Sequence, residues 1–343
     1  MYCGTVNDLE NQTTPFLMVD LPSFESNLSK MSDALPGTSL RPHVKAFKST
    51  AVAQRLYAAG HTAFCCATIK EMEGMVSVGL SDDLLLANEV LDTNRLGALA
   101  KEGASITVAV DSKETINAAV AGGVSNVLID VNVGLKRCGC DVSEAGNLAK
   151  YAKNVGLNIR GVMGYEGHLM MVQDRATQAE MVKDSMMLLL KAHENVGGPI
   201  VSAGGTGTFD LNSWATEIQA GSYLFMDTEY AKLGLPFAEC LSVMSRVIST
   251  APDRSWAVVD AGLKALGMDH GNPSVQDGIV GFCSDEHTTL YPNKGQPEVI
   301  WKVGDLVSLS PAHVDPTIAK HQNMFAYEGN TLVEKWPIDL RGW

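Results

Sequence analysis

The chain has 343 residues, 45% of them hydrophobic, with a formal net charge of -13 at pH 7. That length predicts one large domain joined to a smaller one. The acidic balance argues against nucleic-acid and anionic-membrane partners, and with no apolar run reaching the ~18 residues of a membrane span, a soluble protein is expected.

Residues 1–15 lack the basic and apolar regions of a secretory signal. An apolar run at 16–19 leads into 20–35, which has helical spacing through Phe24, Leu28, Met31 and Leu35. Strand candidates then recur at 40–44, 63–67, 83–86, 106–110, 127–131, 159–163, 200–203 and 217–220. Amphipathic helical segments lie between most of them, at 50–59, 69–78, 91–100 and 177–194. Strands alternating with helices predict parallel βαβ units, and eight of them predict an α/β fold of the (β/α)8 barrel type. The link between the seventh and eighth strands is short for such a unit.

From about Cys240 the helical periodicity fades. Short β-branched or aromatic runs follow at 243–250, 256–260, 278–282, 298–301, 306–309 and 324–327, separated by Gly, Pro, Asn and Asp. They predict an antiparallel β domain over 240–343, after a barrel over 14–239, with residues 1–13 packing against the β domain. The seven cysteines include Cys138-x-Cys140, but no second pair or histidine follows at metal-ligand spacing. Reduced thiols in a cytoplasmic protein are expected.

Barrel active sites gather at the C-terminal ends of the strands. Lys45 ends the first predicted strand, beside Arg41 and His43. Nearby cations and partial burial lower a lysine pKa, and a neutral amine attacks carbonyls, so Lys45 is a Schiff-base candidate. The same pattern also fits a surface lysine at a strand end. Arg137 follows the fifth strand, Tyr165 and His168 follow the sixth, and Gly204-Gly205-Thr206-Gly207-Thr208 follows the seventh. A Gly-rich loop with hydroxyl donors at that place is a phosphate cradle, or simply a turn.

A lysine nucleophile and a phosphate cradle in one barrel point to pyridoxal phosphate. The chain resembles the barrel-fold pyridoxal-phosphate enzymes typified by alanine racemase, and within them the metal-dependent D-threonine aldolases and D-serine dehydratases. The resemblance rests on 41–45, Arg137-Cys138-Gly139, Gly164-Tyr165-Glu166-Gly167-His168, 204–208, Gly221-Ser222-Tyr223, 284–287 and 311–317. It implies that Lys45 carries the cofactor and that Gly205, Thr206, Gly221, Ser222 and Tyr223 help to hold it at its phosphate. It also implies that Arg137 and Tyr165 contact cofactor or substrate, with His43 counted on the cofactor side. His43 and His287 each also fit a hydrogen-bonded structural histidine. Phe47 stands where relatives often have a histidine. Lys264, in a further family motif, reads as structural or interface-forming.

His313-Val314-Asp315 bears on the chemistry. On an extended segment, residues i and i+2 share a face and can bind one ion; a turn with a capping aspartate also fits. In the family the second ligand is typically aspartate in the aldolases and cysteine in the dehydratases. An oxygen ligand suits Mn²⁺ or Mg²⁺ better than a thiolate would. The resemblance therefore implies D-threonine aldolase-type cleavage of a D-3-hydroxy-α-amino acid to glycine and an aldehyde; His168, a histidine expected at the cleft mouth, is the candidate base at the β-hydroxyl. It implies a homodimer as well. The alternatives are a D-serine or D-3-hydroxyaspartate dehydratase, a non-catalytic pyridoxal-phosphate carrier and a sugar-phosphate barrel enzyme.

Overall fold

Strand β1 (Phe16–Asp20) does not join the strands that follow it in the chain. The computed structural model describes residues 8–343, and contacts divide the chain into two units. One holds Met31–Gly221 with Leu340–Trp343; the other joins the N-terminal stretch through Lys30 to Ser222–Asp339. The division therefore departs from the expected 14–239 and 240–343, because β1 and residues 222–239 group with the β-rich unit. Of the segment 1–13, residues 1–7 lie outside the described residues. Asp8 and Glu10 bond into the β unit, at the Leu332 N–H and the Arg246 guanidinium.

The first unit is an α/β barrel. Its strands are β2 (Ala63–Cys66), β3 (Asp83–Leu86), β4 (Ile106–Val110), β5 (Asn126–Asp130), β6 (Asn158–Gly164), β7 (Ile200–Ala203) and β8 (Glu217–Ile218), paired in that order and all parallel. The predicted first strand at 40–44 is an extended segment rather than a regular ladder. Pro42 has no N–H to give, so pairing is sparse. It still closes the ring: Leu40 bridges Ile218 on one side and His43 bridges Cys65 on the other. The backbone bonds Arg41 N to Ile218 O (2.9 Å), His43 N to Ala220 O (3.0 Å) and Cys65 N to Pro42 O (3.0 Å) carry the seam. Helices Thr50–Ala58, Ile69–Ser77, Asn94–Lys101 and Arg175–Val196 fall at the predicted places. Between β7 and β8 the chain makes turns and no helix, as the short spacing required.

Two layers stabilise this barrel. Leu85, Ala109, Leu128, Met163 and Ile200, one from each of β3 to β7, form an apolar cluster. Near the N-terminal ends of the strands lies a charged layer instead. Arg41, 1% exposed, gives Glu217 two bonds (2.7 and 2.9 Å) and shares Asp83 with Arg160. In barrels this face serves stability, whereas the opposite face carries chemistry.

The second unit is built on a mixed sheet. Its further strands are β9 (Leu241–Thr250), β10 (Ala257–Val259), β11 (Ser274–Val275), β12 (Ile279–Cys283), β13 (Thr288–Tyr291), β14 (Leu306–Ser310), β15 (Asn323–Glu328) and β16 (Thr331–Pro337). The pairing is mostly antiparallel, but β1 lies between β9 and β15 and runs parallel to β15. The expected antiparallel β domain is present, and β1, a strand from the far end of the sequence, adds one parallel pairing to it. The predicted strand at 298–301 is absent: the segment follows Gly295 and Pro297 and is pinned by Arg254, whose guanidinium bonds the Val299 and Trp301 carbonyls. Phe24 packs on Trp336 and Phe225 at ring separations of 5.0 and 5.4 Å, all three buried. Burial of each such side chain contributes about 1.5–3 kcal/mol. Among the described residues no helix is long and apolar enough to cross a membrane.

Candidate active site

Lys45 occupies a single 3-10 turn, Val44–Ala46, at the C-terminal end of the seam segment. His43 caps that turn: its Nδ1 accepts from the Lys45 backbone N–H at 3.4 Å. An accepting Nδ1 must be unprotonated. Burial, and then the cations Lys45, Lys48 and Arg137, hold the His43 imidazole well below its ordinary pKa. The cations gathered here are thus Lys48 and Arg137, not the neighbouring Arg41, whose guanidinium is paired with carboxylates at the other end of the strands. Lys48 was not singled out in the sequence. It has a positive φ of 50°, and its ammonium bonds the Lys45 carbonyl. Phe47 is fully buried, so a core side chain fills the position where relatives often carry histidine.

The loop after β7 is tied to the loop after β6 by one carboxylate. Glu166 is fully buried; its Oε2 accepts from the Gly204 N–H (3.0 Å), and its Oε1 accepts from Thr208 Oγ1 (3.0 Å) and Asn212 Nδ2 (3.2 Å). Gly204 has φ +78°, a left-handed conformation that suits glycine. A Cβ on Gly207 would stand 2.2 Å from the Met170 carbonyl, and one on Gly205 2.7 Å from the Met170 sulfur. Glycine is therefore needed at both positions because the loop packs tightly on Met170, and Thr206 and Thr208 are buried between and beside them. Gly221 likewise comes close to the Lys45 turn, where a Cβ would lie 2.5 Å from the His43 carbonyl. Glu166 carries no signal of its own in the sequence, since a glutamate after a strand reads as a surface residue.

Arg137 lies over the Tyr165 ring at 5.4 Å from its centroid. His168 is exposed on the one-turn helix Gly167–Leu169, its ring against Gly134, where a Cβ would meet it at 2.8 Å. Tyr165 and Arg137 also line a small cavity with Asp130, Asn132 and Cys138. Asp130, buried at the end of β5, is pushed well above the usual carboxylate range by burial, then by Glu89 and Asp111, against the pull of Arg137. Burial and Glu89 raise the Cys138 thiol to about 11, and burial with Asp130 and Asp111 raises Cys140 to about 12. Both are therefore thiols and not thiolates at neutral pH. The described cysteines 65, 66, 138, 140, 240 and 283 are all free thiols.

Ser222, Tyr223, His313 and Asp315 belong to the β-rich unit. Tyr223 is fully buried, and burial raises its phenol, so it remains a neutral donor. His313 and Asp315 do not share an extended segment as expected. His313 is the extended N-cap residue of the helix Val314–Ala319, and Asp315 sits in that helix's first turn. The change of conformation between them brings His313 Nε2 to 3.9 Å from Asp315 Oδ2. Ser222 Oγ bonds the same oxygen at 3.4 Å. Asp227 accepts from the Val314 N–H at 3.1 Å and so pins the start of this helix. On the other side of the imidazole, His313 Nδ1 is 2.8 Å from Asp269 Oδ2, and the His270 ring stacks on it at 3.9 Å with an interplanar angle of 3°. Asp269, His270 and His313 together could hold a metal ion. Asp269 and His270 were missed in the sequence, because 44 residues separate Asp269 from its partner. His287 lies exposed in a tight turn with its carbonyl bonded to the Ser284 N–H, and Lys264 forms an exposed ion pair with Glu286.

Residues 19–229 match the alanine racemase N-terminal domain model. The chain belongs to that family. Residues 240–327 of this alanine racemase-like chain match a second model, described as a putative serine dehydratase domain. A 3-hydroxy-D-aspartate aldolase of Paracoccus denitrificans is 33% identical over 365 residues, covering 96% of this chain and 92% of that protein. A D-threonine aldolase of an Arthrobacter species is 32% identical over 358 residues, covering 96% and 93%. A D-threo-3-hydroxyaspartate dehydratase of a Delftia species is 28% identical over 374 residues, covering 96% and 98%. The crystal structure of D-threonine aldolase from Filomicrobium marinum superimposes with a TM-score of 0.89 at 30% identity, covering 97% of each chain. The relatives of the alanine racemase-like chain are thus aldolases and a dehydratase, and family membership supports pyridoxal phosphate as its cofactor.

Proposed function

We propose that the chain is a pyridoxal-phosphate- and divalent-metal-dependent D-threonine aldolase, which cleaves D-3-hydroxy-α-amino acids to glycine and an aldehyde. The observation that carries this reading is the His313–Asp315 pair, a nitrogen and a carboxylate oxygen 3.9 Å apart. That donor set suits a hard or borderline ion such as Mn²⁺ or Mg²⁺, with open positions for substrate. The barrel residues fit the organic cofactor: the Gly204–Thr208 loop, held in shape by Glu166, would cradle a phosphate, and Lys45 would supply the amine.

When bound, the cofactor supplies an electron sink and the ion supplies Lewis acidity at the β-hydroxyl. The chain supplies the rest. Lys45 holds the cofactor covalently, and His43 and Lys48 hold the Lys45 backbone through its N–H and its carbonyl. Gly205, Thr206, Gly221, Ser222 and Tyr223 bind at the phosphate, while Arg137 and Tyr165 orient the amino acid. His168 takes the β-hydroxyl proton; the Cα–Cβ bond then breaks, the Cβ–O bond becomes a carbonyl, and a proton delivered to Cα completes glycine. Free thiols suit a reducing compartment, so a cytoplasmic enzyme is proposed, and a homodimer in keeping with the family resemblance.

The match to a serine dehydratase domain favours one second reading. In it Lys45 removes the Cα proton and the hydroxyl departs as water. Product assay on D-threonine with added pyridoxal phosphate and Mn²⁺, beside an EDTA-treated control, separates the two. Glycine and acetaldehyde, lost with EDTA, are expected. 2-Oxobutanoate and ammonia would overturn the aldolase reading in favour of dehydration.

A further inference from the structure

The loop that carries Asp269 is fastened against the helix that carries Asp315. The Gly267 N–H donates to Thr317 Oγ1 at 2.9 Å, and Thr317 Oγ1 donates to the His313 carbonyl at 2.7 Å. A Cβ on Gly267 would lie 2.4 Å from Pro316, so the loop approaches the helix closely enough to need glycine there. Two residues further on, Asp269 Oδ2 stands 2.8 Å from His313 Nδ1. His270 lies flat against the same imidazole. One ring is thus held at an edge and on a face by consecutive residues, and its remaining nitrogen, Nε2, is directed to the Asp315 side.

A neutral imidazole that donates from Nδ1 has its lone pair on Nε2, the nitrogen that a metal beside Asp315 would use. A carboxylate on the far nitrogen fixes that tautomer, sets the ring plane and raises the basicity of the ligand. We propose that Asp269 is a positioning residue of the metal centre: it holds His313 in the Nε2-coordinating tautomer, while His270 restrains the ring by stacking. This rests on the metal reading of His313 and Asp315 given above. It adds a carboxylate that acts through His313 and does not itself bind the ion.

The test is Mn²⁺ binding by the full-length, cofactor-loaded protein after EDTA treatment, followed by the electron paramagnetic resonance of free Mn²⁺. Asp269→Ala should weaken binding about 10–100-fold. Asp269→Asn keeps an oxygen acceptor for the Nδ1 proton and should fall between Ala and the unsubstituted protein. The visible cofactor band and the melting temperature of the metal-free form, recorded for each variant, report whether the fold is intact. Unchanged Mn²⁺ affinity in Asp269→Ala would overturn the positioning role while the aldolase metal site stood. Asp269→Asn binding as poorly as Asp269→Ala would mean that accepting the Nδ1 proton is not what Asp269 contributes and would overturn the role as stated. No Mn²⁺ binding by the unsubstituted protein, or binding that survives His313→Ala, would remove the metal reading itself and the inference with it.

Discussion

Glu166 and Gly204 are joined by a buried hydrogen bond of 3.0 Å between a carboxylate oxygen and a backbone N–H. The same carboxylate holds Thr208 and Asn212, so one side chain sets the shape of the Gly-rich loop. Each bond to a charged group contributes roughly 1.5–3 kcal/mol. Glu166→Ala leaves three donors without it, and the protein should melt at a lower temperature and lose its phosphate-bearing cofactor on dialysis. Thermal melting and the visible absorbance of dialysed protein check both. Full retention of the cofactor would mean that the loop keeps its shape without Glu166.

At the opposite end of the strands, Arg41 and Glu217 form a buried bidentate pair. Removing one partner of such a pair costs up to about 3–5 kcal/mol, and here it leaves the Arg41 guanidinium with Asp83 as its remaining carboxylate. Glu217→Ala should therefore unfold in markedly less urea. The Lys45 turn lies at the other end of the strands, so activity per folded molecule should change little.

Asp83 completes that layer and gives it a pH signature. Burial alone would raise its pKa, but the hydrogen bonds and charges of Arg160 and Arg41 prevail and hold it at about 2. An unfolded aspartate titrates at about 3.9. The folded value is the lower one, so the stabilisation is complete above about pH 4 and is lost as the pH falls through about 2. In urea titrations across that window, Asp83→Asn should show a shallower loss of stability than the unsubstituted protein. An identical acid slope would assign the acid sensitivity to other groups.

His168 should act on the chemical step alone. It is exposed and packs on a glycine, so His168→Gln should fold normally and keep its cofactor band. General base catalysis contributes about 10²–10⁴-fold, and kcat on D-threonine should fall within that range. A kcat within a factor of a few of the original would move the base elsewhere.

Asp315→Cys tests the choice of ion. A thiolate in place of the carboxylate shifts the site from Mn²⁺ and Mg²⁺ toward Zn²⁺. Metal analysis after equilibration with equimolar Mn²⁺ and Zn²⁺ should show more zinc in the variant than in the parent. Equal metal content in both would mean that Asp315 does not select the ion.

The sequence by itself determined the barrel and the position of Lys45. Strand and helix periodicities are local, and burial of alternating or 3.6-spaced apolar residues leaves few other arrangements for such a chain. The Gly-rich loop after the seventh strand was legible for the same reason, since glycine reports a backbone requirement wherever it stands. Tertiary structure alone decided what depended on distant partners. The strand 16–20 went to the β sheet because β9 and β15, more than 200 residues away, offered it two edges to pair with. Arg41 looked like a neighbour of Lys45 along the chain, but a buried guanidinium needs carboxylates, and Glu217 and Asp83 supply them at the other end of the strands. His313 and Asp315 converge through a helix start and not a strand, and Asp269 reaches His313 only because Gly267 lets its loop close on Pro316. Hydrogen bonds between side chains far apart in sequence leave no periodic trace, so this part of the site appears only once the chain is folded.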